Sequence, residues 1–179
     1  MRDNASTMEI DLGRVEDRST FSFDRALDIP VPGGGEASCV VAVTAGVTRS
    51  LNRYNIATRV KGEIRSECHR CLAPCAMPVE VSFDVVISRG EGGQPPEGVE
   101  EDDFVAIPAL GEARYDLAPR VREALILELP IKLLCREDCK GACTKCGKNL
   151  NEGDCGCGAS PGDPRWGALK NFLNGKNKT

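Results

Sequence analysis

Aromatic residues are scarce: one Trp, two Tyr and five Phe make up 4% of the 179 residues. A core without them has to be built from Val, Ile, Leu and Ala, which a hydrophobic content of 41% can supply. Histidine occurs once, as His69. No nucleophile–base pairing, phosphate loop or carboxylate dyad is readable, which weighs against catalysis. No run approaches the ~18 apolar residues of a membrane span. The first eight residues lack the apolar stretch of a secretion signal. Both absences lead us to expect a cytoplasmic protein. There is no internal repeat.

Charge is present but unevenly placed. The net charge is −4, which argues against a surface that grips nucleic acid all round. Residues 1–129 hold 14 basic and 22 acidic side chains, a balance of −8, whereas residues 130–179 hold 9 and 5, a balance of +4. The acidic part suits a basic protein partner. The cationic part offers Lys140, Lys145, Lys148, Arg165 and Lys170 as candidate RNA or partner contacts, against the plain alternative of a solvated face.

What is abundant is cysteine, ten in all, six of them within the 23 positions from Cys135 to Cys157. Without an export signal, C-x-x-C spacing reads as metal ligation or redox chemistry before structural disulfides. Cys143-x-x-Cys146-Gly is the knuckle favoured by a tetrahedral thiolate site. Glycines at 141, 147, 153, 156 and 158 allow the tight turns such a site needs.

The rest of the chain alternates. Ile10, Leu12, Phe21 and Phe23 suggest one or two short edge strands between 8 and 30. The stretch Pro30 to Gly35 is a turn. Cys39, Val41, Val43, Ala45 and Val47 share a strand face, which makes Cys39 a core residue. From Asn55, Ile56, Thr58, Val60, Gly62 and Ile64 face one way and Arg59, Lys61, Glu63 and Arg65 the other, the mark of an antiparallel sheet with one wet face. Val79, Val81, Phe83, Val85 and Ile87 repeat the pattern. Residues 55–89 therefore form a long hairpin with Cys68-His-Arg-Cys71 at its tip. Gly90 to Asp103 is an acidic loop, and Asp103 to Pro108 returns as a short strand. Asp116 caps a helix over about 116–129 that Pro130 stops. Asp163 and Pro164 open a second helix over about 163–174, with Trp166, Leu169 and Leu173 as its apolar stripe.

The expected fold is thus α+β: an antiparallel, barrel-like β-sheet, one or two helices and a C-terminal cysteine-rich zinc-knuckle segment. We divide it into a β-rich domain over 1–130 and a metal-binding segment over 131–179.

Spacing alone allows two ways to group the sulfurs. In one, Cys143, Cys146, Cys155 and Cys157 close a local site, and Cys135 and Cys139 reach back to Cys68 and Cys71. In the other, Cys68 and Cys71 join Cys143 and Cys146, as in a split zinc ribbon. The first gives two zinc ions in four-cysteine sites, each closed to water and so structural. A loop-rich segment too short for its own core gains folding free energy from such ions. Cys75 is a spare, and His69, between two ligands, points away from the metal they share. A thioredoxin-like role for Cys68 and Cys71 would require the pair to open a helix, but Pro74 and a strand follow.

Taken in order, Cys68-His-Arg-Cys71-Leu, Leu-Glu-Leu-Pro130, Cys135-x3-Cys139-x-Gly141-x-Cys143-x-x-Cys146-Gly147-x-Asn149-Leu150-Asn151, Cys155-x-Cys157 and Asp163-Pro-Arg-Trp-x-x-Leu resemble the YceD family, the large ribosomal RNA subunit accumulation proteins. Thr144 and Ala142 stand where the family often has Pro and Leu; neither position can ligate metal. The resemblance implies a part in the accumulation or processing of large-subunit ribosomal RNA, and the closed four-thiolate sites make the expected protein a non-catalytic factor in large ribosomal subunit biogenesis. It would support accumulation or processing of large-subunit ribosomal RNA by binding that RNA, a large-subunit ribosomal protein, or both. An adaptor or chaperone for a basic ribosomal protein, without direct RNA contact, is the alternative. A nuclease or C-x-x-C redox enzyme is the catalytic one.

Overall fold

In the computed structural model the described residues are 7–90, 95, 97–107 and 113–157. The helix expected over 163–174, with Arg165 and Lys170, lies outside them.

The main sheet is a meander of four long strands: β2 (Arg18–Pro30), β3 (Glu36–Ser50), β4 (Arg53–Glu67) and β5 (Pro74–Arg89). Each alternates one residue to the core and one to water, so the period of two fixes register wherever the inner face is buried. Cys39 pairs with Leu27 and Ile64, and Val60 with Val43 and Val81, so apolar side chains meet across every seam. Leu27, Ile29, Val41, Val43, Tyr54, Ile56, Val60, Ile64, Val85 and Ile87 are all buried. The span 8–30, expected as short edge strands, instead holds one short strand, β1 (Glu9–Asp11), and the 13-residue β2. Phe21 and Phe23 are only half-buried, which leaves the outer half of β2 weakly marked in sequence.

Two expectations about the sheet need correction. Among the described residues it does not close into a barrel: its strand order is β2-β3-β4-β5-β6, with β2 and β6 as edges. It is also not wholly antiparallel, because β6 (Phe104–Ile107) runs parallel to β5, pairing Val86 with Phe104. The segment after Arg89 carries the chain back before it pairs, which a tight hairpin cannot do.

Helix α1 (Ala118–Glu128) packs against both β5 and β2. Those strands are separated by β3 and β4, so the sheet has to curl around the helix. At Gly62 the β3 backbone comes close to β4. A Cβ there would collide with the Val40 carbonyl oxygen and lie 2.8 Å from Val41 Cγ1. Leu117, Val121 and Leu125 fill the hollow, with Met8, Ile10 and Leu12 from the N-terminal segment.

The N-terminal segment is fastened by β1 pairing with β7 (Arg114–Asp116). Asp116 Oδ1 accepts from the Met8 N–H at 2.9 Å and from the Ala118 N–H at 3.0 Å. The expected cap therefore acts, but the helix proper begins later than position 116, with Leu117 in the capping position. Among the described residues no helix is long and apolar enough to cross a membrane.

Candidate metal centres

The tip of the β4–β5 hairpin is a tight turn. The Leu72 N–H donates to the Cys68 carbonyl and the Cys68 N–H to the Ala73 carbonyl, each at 2.9 Å. Leu72 adopts a left-handed φ of 61° and is 66% exposed. The turn brings Cys68 and Cys71 to one side, and β5 follows directly from Pro74. No helix opens at this pair, so the thioredoxin-like arrangement is absent.

After α1 the chain comes back to this tip. The His69 N–H donates to the Leu133 carbonyl at 2.8 Å, and the Ala142 N–H to the Arg70 carbonyl at 2.8 Å. The Arg70 guanidinium donates to the Cys139 carbonyl at 3.1 Å. Gly141, with φ of 80°, lets the loop approach so closely that a Cβ there would stand 3.2 Å from the Arg70 carbonyl oxygen. Main-chain bonds thus stitch the tail to the hairpin tip on both sides of Cys135 and Cys139.

The sulfurs form two groups, Cys68, Cys71, Cys135 and Cys139, and Cys143, Cys146, Cys155 and Cys157, with all four Sγ atoms of each within 4.8 Å of one another. The split-ribbon grouping of Cys68 and Cys71 with Cys143 and Cys146 is not the one adopted. None of the ten cysteines is in a disulfide. Cys68 Sγ is 3.8 Å from Cys139 Sγ, and Cys71 Sγ is 3.7 Å from Cys135 Sγ. A tetrahedron of sulfurs around a metal at ~2.3 Å has edges of ~3.8 Å. The donor chemistry and the spacing therefore both fit a closed four-thiolate metal site.

The second group is built by a local loop. The Gly147 N–H donates to the Cys143 carbonyl and the Cys143 N–H to the Lys148 carbonyl, each at 2.8 Å, and Ala142 bridges Asn149. The two sites differ in setting. Cys68, Cys71 and Cys139 are buried and form a small core of their own with Ala73, Cys75 and Leu134. In the second group Cys146 is exposed and the others are half-buried.

Hydrogen bonding prepares the sulfurs for a cation. Burial works to raise the Cys68 thiol, but the backbone N–H groups of Cys71, Arg70 and Cys135 outweigh it and bring the thiol down to about 6. Cys143 is brought down to about 6 by the N–H groups of Lys145 and Cys146 and by the Cys155 thiol. Cys157 donates to Cys146 and Cys155 and is pushed up to about 12. Four crowded sulfurs share protons in this way because four adjacent negative charges repel. A divalent cation held by the four sulfurs would replace those protons.

One participant had no assigned role in the sequence reading. Asn151 donates from Nδ2 to Cys139 Sγ at 3.3 Å and accepts on Oδ1 from the Lys140 N–H at 2.9 Å. Its place in the motif was visible, but only the folded loop shows which sulfur it reaches.

The remaining candidates separate cleanly. Cys39 is in the core, where burial pushes its thiol up to about 11. Cys75 packs beside the first group without joining it, and His69 joins neither. Lys140, Lys145 and Lys148 are exposed. Two of them hold the loop itself: Lys145 Nζ donates to the Cys157 carbonyl at 3.1 Å and Lys148 Nζ to the Asp154 carbonyl at 3.0 Å.

A curled open sheet, one helix in its hollow and a tail clasped by two four-cysteine groups define the class of protein. The family model described as "Large ribosomal RNA subunit accumulation protein YceD" matches residues 56–173. The chain belongs to the YceD family. It is 26% identical over 177 residues to the "Large ribosomal RNA subunit accumulation protein YCED homolog 1, chloroplastic" of Zea mays, covering 82% of this chain and 60% of that protein. The Arabidopsis thaliana protein of the same name is 26% identical over 156 residues, covering 74% of this chain and 48% of that one. An uncharacterized protein of Mycobacterium tuberculosis (strain ATCC 25618 / H37Rv) is 28% identical over 191 residues, covering 98% and 86%. This chain thus spans about half to three-fifths of the plant relatives' length. None of these relatives carries an enzyme's name. No solved structure matches.

Proposed function

We propose that this protein is a non-catalytic, cytoplasmic factor in large ribosomal subunit biogenesis. It supports accumulation or processing of large-subunit ribosomal RNA by binding that RNA, a large-subunit ribosomal protein, or both. Family membership supports the process. The observation that carries the non-catalytic reading is the closure of both sulfur groups: four thiolates fill a tetrahedral ion and leave no position for an attacking water. Zinc is the metal in each, because an all-thiolate tetrahedral set suits it. Both ions are structural: the one held by Cys68, Cys71, Cys135 and Cys139 fastens the segment over 131–179 to the β-rich part over 1–130, and the other closes that segment's own loop. Lys140, Lys145 and Lys148, with Arg165 and Lys170, are the contact residues for RNA or for a protein partner.

The test is sedimentation of tagged protein with large-subunit precursors, at rising salt, from cells in which it replaces the native copy. An electrostatic RNA contact predicts association that weakens steeply with salt. Absence from precursor fractions, or normal large-subunit RNA levels after depletion, overturns the reading. Clean cleavage of precursor RNA by the pure metallated protein overturns its non-catalytic part.

A second reading has its own support. The balance of −8 over residues 1–129 suits an adaptor for a basic ribosomal protein. Crosslinks from assembling particles to protein alone would favour it.

A further inference from the structure

A groove of about 610 Å³ lies between the outer face of the sheet and the segment before β6. Asn55, Ala57, Asp84 and Val86 form its floor, and Val99 and Glu100 its wall. It shares Ala57 and Asp84 with a second groove of about 480 Å³, which continues past Arg59 and Thr44 to Thr20 on β2. Together they make one trough across four strands. Small side chains at Ala57, Thr44 and Ser82 keep its floor low. At ~4.8 Å per strand the trough is roughly 15 Å long, the reach of four or five extended residues.

Its electrostatics are one-sided. Residues 97–103 include Glu97, Glu100, Glu101, Asp102 and Asp103 and no basic side chain. Among the described residues Asp103 is the one of these five in an ion pair, with Arg120. Asp84 is exposed on the floor, and Arg59 is the single cation of the trough's lining. Such a wall repels a phosphate backbone and attracts lysine and arginine. Val86, Val99 and Ala57 offer apolar surface to the aliphatic stems of those side chains.

We propose that this trough docks a lysine- and arginine-bearing extended segment of a protein partner. The proposal rests on the assembly-factor reading and deepens it. It assigns the protein contact to the outer sheet face and leaves the cysteine-loop lysines for RNA. Charge complementarity selects the basic segment and speeds its capture. The low floor across four strands suits an extended main chain.

The test uses the full metal-loaded chain and a fluorescein-labelled octapeptide alternating Lys or Arg with Val, read by fluorescence anisotropy at physiological salt. D84N/E100Q removes charge from floor and wall, and Ser82→Trp blocks the floor without changing charge. E16Q/E36Q removes two exposed carboxylates elsewhere. The first two variants should each bind about tenfold more weakly, a loss of roughly 1.4 kcal/mol, and the third should match the wild type. Equal binding by D84N/E100Q, or an equal loss in E16Q/E36Q, overturns the trough. So does an RNA octanucleotide that displaces the peptide and is itself weakened by the same variants. Sedimentation separates this from the reading beneath it. Wild-type protein missing from precursor fractions overturns the assembly reading. Wild type present there, while the peptide binds D84N/E100Q as tightly as wild type, overturns the trough alone.

Discussion

The side-chain amide of Asn151 donates to the sulfur of Cys139 at 3.3 Å, although Asn151 sits on the loop that carries the other cysteine group. The second loop therefore finishes the first site. The same amide holds the Lys140 N–H and the Arg136 guanidinium on Oδ1, at 2.9 and 2.7 Å. The Asn151 amide is the largest influence lowering the Cys139 thiol below its ordinary value. Such partners around a ligand tune the metal nearly as much as the ligand itself.

Asn151→Ala should therefore weaken metal at the first site by about tenfold and leave the second unchanged. Without the donor, Cys139 returns toward the ordinary thiol value and protons compete better for its sulfur. Metal release on acidification should then begin at a higher pH than in the wild type. Asn151→Asp should be worse than Ala, because it adds a negative charge beside a thiolate. Chelator competition on both variants, followed by a pH titration of metal release, checks the order. Equal release from all three proteins would show that the contact carries no energy.

Two metal ions per chain are expected from elemental analysis of the purified protein. The second group, none of whose cysteines is buried, should yield its ion to a chelator first, and the first group, with Cys68, Cys71 and Cys139 buried, later. Loss of the first ion should free the tail while the sheet persists, since the core of β2 to β5 and α1 contains no ligand. Limited proteolysis should then cut between Pro130 and Cys157, with the strand signal in circular dichroism retained. Cys68→Ser should reproduce the nicking without chelator.

Two neighbours on the inner face of β4 should respond in opposite directions. Gly62 has no room for a Cβ, and the obstacle is the backbone of β3, which cannot swing away. Gly62→Ala should cost roughly 1–3 kcal/mol. Thr58 is 3% exposed and its hydroxyl has no hydrogen-bond partner. Thr58→Val keeps the shape and removes the stranded hydroxyl, so it should stabilise by about 1 kcal/mol. Urea unfolding midpoints of the two variants check both signs.

Legibility in the sequence followed the range of each interaction. The alternation over 55–68 and 79–87 marks β4 and β5 because one face is apolar and the other polar, a local property. The cysteine pairs are legible for the same reason, since two sulfurs on one turn need only a residue that takes a left-handed φ in or just after it, as Leu72, Gly147 and Gly156 do. What was not legible depends on contacts across the chain. Closing or not closing the sheet is decided by α1 wedged between β2 and β5. The parallel pairing of β6 is decided by where an acidic loop returns. Two partitions of eight sulfurs stayed open until the tail's bonds to Arg70 and His69 fixed which pair it meets.

Cys39 provides a pH test of the core. Its thiol is fully buried on β3, and burial raises its pKa from 9.0 to about 11. Burial disfavours the thiolate, so the folded state holds this proton more tightly than the unfolded chain does. The associated stability is complete below pH 9 and falls as pH rises from there through 11. Across that window Cys39 should account for a loss on the order of 2 kcal/mol. Cys39→Ala leaves a small cavity and is less stable at pH 8, but it lacks this titration. The gap between the two proteins should therefore narrow as pH climbs toward 11, when urea midpoints are compared with metal present throughout. A gap that stays constant across the window would mean that the Cys39 thiol ionises as easily folded as unfolded.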